Sequence, residues 1–225
     1  MKPKIIVGAV IAIVILVAAA LVIPRIYAAN ESSDIAAPTL ASAPADRAGG
    51  EALDVNGQWE VVEGADSYAG YRVDEVLSGE NVTVVGRTNT VTGEATVEGD
   101  SLTTAAVDVD LVSVATDSDR RDNYFRTIAI DTAAHPAAIF TVTQPVDLAG
   151  VSTTASDITL QGELSMNGQT RSVEVPAQLV AQDGTLVIAG YIPVTWADFG
   201  VEAPSLGFVE VEKAGAIEFQ VALEK

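Results

Sequence analysis

The chain has 225 residues, 48% hydrophobic and 19% charged, with 12 basic against 31 acidic side chains and a net charge of -19. It has no cysteine and a single histidine, which excludes a disulfide framework, a cysteine–zinc cluster and a thiol nucleophile. So acidic a surface is repelled by phosphate backbones, and nucleic acid is excluded as a partner.

Met1 to Lys4 is a short basic start, followed by an uncharged apolar run of 19 residues from Ile5 to Ile23. As a helix this run spans about 28 Å at roughly 1.5 Å per residue, close to the ~30 Å hydrocarbon core of a bilayer. That length favours a retained transmembrane helix. The alternative is a cleaved signal peptide, whose apolar region is typically about 7 to 15 residues, with Tyr27-Ala28-Ala29 as an imperfect cleavage site. No cysteine follows the run, so a lipoprotein is excluded, and Lys2 and Lys4 against Arg25 place the N-terminus in the cytoplasm. Residues 1–26 are thus expected to be a cytoplasmic start and membrane anchor, with the rest extracytoplasmic, or secreted or periplasmic after cleavage.

Residues 27–54 shift to Ala, Ser, Pro, Gly and acids, with Pro38, Pro44 and Gly49-Gly50 as breakers. This is predicted to be a flexible linker of roughly 30 Å reach.

Residues 55–225 read as one domain, and from Trp59 onward the pattern has a period of two. Ile158, Leu160, Gly162, Leu164 and Met166 share one strand face, opposite Thr159, Gln161, Glu163 and Ser165. Val173 to Leu179 repeats the alternation, as do Val91 to Val97 and Val107 to Leu111. In the last strand, Ile217, Phe219, Val221 and Leu223 oppose the expected water face of Glu218, Gln220 and Glu224. Glu98-Gly99-Asp100, Asn167-Gly168 and Asp183-Gly184 are hairpin signals. The sum is an antiparallel meander, and periodicity alone fits a closed barrel and a two-sheet sandwich equally.

Small residues punctuate the apolar faces at Gly86, Gly93, Ala95, Gly162, Ala177 and Gly190. If these faces line a lumen, the missing side-chain volume leaves a channel for an apolar ligand. The other reading is that the glycines only let strands bend.

The alternation stops between Ser113 and Phe140. Thr116 or Ser118 can cap a short helix there, Asp117, Asp119 and Asp122 suit its N-terminal end, and Tyr124 and Phe125 can lie over an apolar interior. The order Ser113-Val114-Ala115-Thr116, Arg121-Asp122-Asn123, Phe125-Arg126, Asp131, His135-Pro136 and Phe140 resembles the signature of the YceI-like family of bacterial envelope proteins. Gly162-Glu163-Leu164, Gly168 and Asp198-Phe199-Gly200-Val201 extend the resemblance over most of the chain from about Trp59 to Lys225. Tyr124-Phe125-Arg126-Thr127 departs from the family's frequent His-Leu-Arg-Ser. Asn167 likewise takes the place of a His, and Thr195-Trp196 lies near where an Asn-Arg pair is common.

The resemblance implies an all-β, antiparallel lipocalin-like barrel with a short helical plug, here preceded by one N-terminal transmembrane helix. It also implies non-covalent binding of an isoprenoid, a quinone-like molecule or another amphiphilic lipid in an apolar lumen. The residues expected at that ligand are Tyr71, Val73, Gly93, Val107, Val109, Tyr124, Phe125, Phe140, Gly162, Leu164, Ile188, Gly190, Trp196, Phe199 and Phe219. Arg121 and Asp122 are read either as a head-group contact or as an ion pair or cap that fixes the plug.

Catalysis finds no constellation. His135 is the sole histidine and precedes a proline, no Gly-x-Ser-x-Gly elbow occurs, and the plug's aspartates lack the glycine and terminal Glu of a calcium loop. The expectation is a non-enzymatic protein with no metal and no cofactor beyond a bound lipid. The competing expectation is a solid-packed barrel serving as a structural or interaction module of the envelope.

Overall fold

The computed structural model describes residues 22, 25, 26, 28, 29, 32–40, 54–64, 66–182, 184–205 and 207–225. Its strands are β1 (Gly57–Val61), β2 (Tyr68–Leu77), β3 (Glu80–Thr88), β4 (Val91–Glu98), β5 (Ser101–Asp110) and β6 (Ala137–Val142). They continue as β7 (Val146–Asp147), β8 (Ser156–Met166), β9 (Gln169–Gln182), β10 (Thr185–Thr195), β11 (Val209–Val211) and β12 (Ala214–Glu224).

Closure decides between barrel and sandwich. Strands β1, β4, β5, β6, β8, β9, β10 and β12 pair in that order, and β1 pairs back onto β12 through Glu60↔Glu224 and Val61↔Leu223. Further along β12, strand β2 takes the place of β1, pairing Arg72 with Ala216, and β3 and β11 pair with β2. The result is one antiparallel sheet whose eight-stranded ring closes on itself, with β2, β3 and β11 as an extension of the sheet outside the ring. The hairpins follow from residues that tolerate positive φ. Ser78-Gly79, Gly99-Asp100 and Asn167-Gly168 each hold two consecutive residues between φ 51° and 87°, the geometry whose twist matches that of the flanking strands.

One end of the barrel is shut. Trp59 is 1% exposed, donates its indole N–H to the Val55 carbonyl at 2.8 Å and packs in the core with Leu148 and Val151. At the other end, the chain between β5 and β6 forms the plug, with α1 (Asp119–Tyr124) running into a π-helical turn, Phe125–Ala129. Leu111, Val114 and Ile130 are buried on either side of it and hold it down. A second short element, the 3-10 turn Trp196–Phe199, ends β10 at the same end.

Three sequence expectations change. Glu218 does not face water: it is 1% exposed, takes hydrogen bonds from Arg72 Nε at 2.9 Å and Arg87 Nε at 2.7 Å, and pairs with both guanidinium groups. Ser118 takes the N-cap position of α1 but makes no side-chain capping bond. Thr116 and Asp122 serve that turn instead, with Asp122 accepting from Thr116 N at 2.8 Å and Thr116 Oγ1 at 2.7 Å. Finally, residues 32–40, placed in the linker by composition, have no helix or strand yet touch the barrel. Ser33 N donates to the Thr83 carbonyl, Arg72 and Arg87 donate to the carbonyls of Ile35 and Ala36, and Leu40 N donates to Gln178 Oε1.

The apolar run Ile5 to Ile23 lies outside the described residues except for Val22. Among the described residues no helix is long and apolar enough to cross a membrane.

Candidate functional site: an apolar lumen with a polar rim

The inward faces of the strands do not meet at the axis. They enclose a cavity of about 930 Å³, near the top of the ~300–1,000 Å³ range usual for small-molecule sites. Its wall comes from alternate residues of almost every ring strand and of β2, including Val73, Val107, Val109, Leu164, Ile188 and Phe219. Leu160, Val175, Leu179, Ile192, Val221 and Leu223 extend the same surface; they obey the period-two pattern as well as the others and were legible from it.

The plug supplies the aromatic end of the wall. Tyr124 and Phe125 both line the cavity, and the Phe125 ring stacks on Tyr71 with centroids 5.3 Å apart and an interplanar angle of 13°. Tyr71 is pushed well above the ordinary tyrosine value, chiefly by burial, with Arg121 pulling the other way; its hydroxyl therefore stays protonated and neutral. Phe140 and Trp196 also reach the lumen. The indole nitrogen of Trp196 is buried without a hydrogen-bond partner.

Polar groups gather where the plug meets the wall. Glu75, Ser118, Asp119, Arg120, Arg121 and Glu202 line that end of the cavity. Arg121 donates to Asp117 at 2.6 Å one helical turn away, which ties it into the plug while it borders the lumen. Val201, Ala203, Pro204 and Phe208, from the loop before β11, and Val209 of β11 form the rest of this rim. Sequence reasoning missed the loop, because its irregular backbone has no periodicity to read.

Five expected site residues stand off the wall. A side chain at Gly162 would run into the ring of Phe140, and one at Gly190 would meet the backbone of Pro176 and Ala177. Gly93 abuts the backbone of Ala106 and Val107. These glycines make room for neighbouring strands and rings rather than for a ligand, whereas Ala95, Ala105 and Ala138 are the small residues that do line the lumen. Phe199 is 2% exposed in the core, and its carbonyl accepts from Asn167 Nδ2 at 3.0 Å. Asp122 is buried in the α1 turn. Elsewhere, His135 lies over the Asn167-Gly168 turn, with ring atoms 3.0 Å or more from where a Gly168 Cβ would stand. Among the described residues no cluster of three His, Cys, Asp or Glu side chains could hold a metal ion.

Comparison with known proteins fits this geometry. Residues 59–223 match the family model of the YceI-like domain. A polyisoprenoid binding domain from Saccharophagus degradans, implicated in plant cell wall breakdown, superposes with a TM-score of 0.57 at 17% identity, over 74% of this chain and 97% of that one. BcnA of Burkholderia cenocepacia gives 0.54 at 18% identity, over 68% and 95% of the two chains. At such identities the likeness is one of fold. No curated protein matches the sequence.

Proposed function

The chain belongs to the YceI-like family, and from that premise we propose that it binds an isoprenoid or quinone-like lipid non-covalently in the barrel lumen, without catalysis. The observation that carries this reading is the lumen itself, about 930 Å³ and walled by aliphatic and aromatic side chains. Such a wall holds an apolar chain by area, at about 25 cal/mol per Å² removed from water, while the rim from Glu75 to Glu202 meets a polar head. A solid-packed scaffold, the competing reading of the same sequence, does not fit a cavity of that size. The name of the S. degradans neighbour, a polyisoprenoid binding domain, supports the same ligand class. The apolar run Ile5 to Ile23 would tether the barrel outside the cytoplasm, for carriage, storage or sensing of the lipid.

Native mass spectrometry of the chain purified from its host, followed by solvent extraction, tests the proposal. A bound species with isoprenoid mass spacing is the expected result. Protein that is consistently lipid-free, and that takes up no polyprenol or quinone when offered them in detergent, would overturn it.

A further inference from the structure

The rim of the open end carries apolar side chains that none of the described residues covers. Phe208 is 63% exposed on the loop before β11, and Ile128 is 68% exposed on the π-helical turn, next to the cavity-lining Ala129. The Phe208 carbonyl accepts from Ser78 N at 2.7 Å, which fixes its loop on the turn between β2 and β3. The same turn holds a second segment: Glu80, the first residue of β3, accepts from Arg25 Nε at 3.1 Å. Arg25 lies two residues beyond the end of the N-terminal apolar run, and Val22 and Ile26 near it are exposed too.

From this point the chain leaves the open end. Its contacts pass from Thr83 to Arg72 and Arg87, and then across to Gln178 on β9. Arg25, with Val22 and Ile26 near it in the chain, is therefore held at the rim of the lumen, on the turn that also fixes the Phe208 loop.

We infer that the open end is a bilayer-docking face: Phe208, Ile128, Val22 and Ile26 enter the head-group layer, and a lipid tail passes from membrane to lumen without crossing water. The inference rests on the lumen being a lipid site. Its physical reason is that the cost of wetting an apolar chain grows with its exposed area, so a mouth seated in the interface removes most of the barrier to transfer.

The absence of native cysteine makes the test direct. Single variants of the full chain, Phe208→Cys, Ile128→Cys and, at the shut end, Glu98→Cys, are labelled with an environment-sensitive dye and mixed with phosphatidylethanolamine–phosphatidylglycerol vesicles bearing nitroxide lipids. Quenching of the Phe208 and Ile128 labels but not the Glu98 label is expected. Equal quenching at both ends, none at either, or shielding of the rim labels by protein concentration alone, as in a dimer, would overturn the docking face.

A paired variant, Ile26→Ser with Ile128→Ser, changes no cavity-lining residue. It should load polyprenol from detergent as the parent does, yet take it from vesicles about tenfold more slowly, the scale set by withdrawing two large apolar side chains from the interface. Unchanged transfer from vesicles would also overturn the inference. Failure of the parent to load in detergent would instead count against the lumen reading, and the quenching pattern would still judge the docking face.

Discussion

Tyr71 shows how one side chain ties the plug to the barrel's stability. Burial raises its hydroxyl above the ordinary value of 10.0, and burial does the same, more weakly opposed by Arg87, at Tyr68. A group whose folded value lies above its unfolded one adds stability that is fully present below the unfolded value and is lost as pH rises through the folded one. The melting midpoint is therefore expected to fall as pH climbs above about 10. Tyr71→Phe, which keeps the stack on Phe125, should flatten that fall while leaving the midpoint near pH 7 within about 1 kcal/mol of the parent; an unchanged alkaline limb in the variant would remove Tyr71 as its source. Glu218 makes a different prediction at the same scale. It holds Arg72 and Arg87 together under residues 32–40, so Glu218→Ala leaves two partly buried cations facing each other. A loss of about 2–3 kcal/mol in urea unfolding is expected, whereas a surface glutamate would cost almost nothing.

At the scale of elements, strands and tight turns were legible because both are written locally. The alternation along β8 from Ile158 to Met166 reappears as its buried face, and Asn167-Gly168 forms the two-residue turn it signals. What local pattern cannot carry is the identity of the neighbour across the sheet. Gly162 reads as vacant volume until β6 is placed beside β8, pairing Val142 with Gly162 and bringing the Phe140 ring over the glycine. Glu218 fails for the same kind of reason: its cover is contributed by a segment some 180 residues earlier in the chain. The corrected account of Gly162 is testable. Gly162→Val should cost about 1–3 kcal/mol by overpacking, and adding Phe140→Leu should return part of it. Recovery is partial because the carbonyl of Thr141 also stands 2.6 Å from the position of the new Cβ. If Gly162→Val instead left stability intact and only blocked lipid uptake, the glycine would face the lumen after all.

For the whole molecule, the consequence of a closed ring with an unfilled axis is that stability and occupancy are linked. Period-two alternation told which residues face inward, but whether they meet depends on ring size, a property of closure between β1 and β12 that no stretch of sequence states. A lumen of about 930 Å³ leaves its lining without partner atoms, so a ligand that fills it binds the folded state and not the unfolded chain. At a hundredfold excess over its dissociation constant such a ligand adds about 2.7 kcal/mol, which for a domain of this length raises the melting midpoint by roughly 5–10 °C. Delipidated protein is thus expected to melt lower, and polyprenol to restore the difference. Filling the axis with Val175→Phe and Leu164→Trp should raise the midpoint of the delipidated chain and abolish the response to lipid in the same step, because the added rings occupy the volume the lipid would take. A double variant that still gained stability from polyprenol would place the lipid outside the lumen, whatever the shape of the barrel.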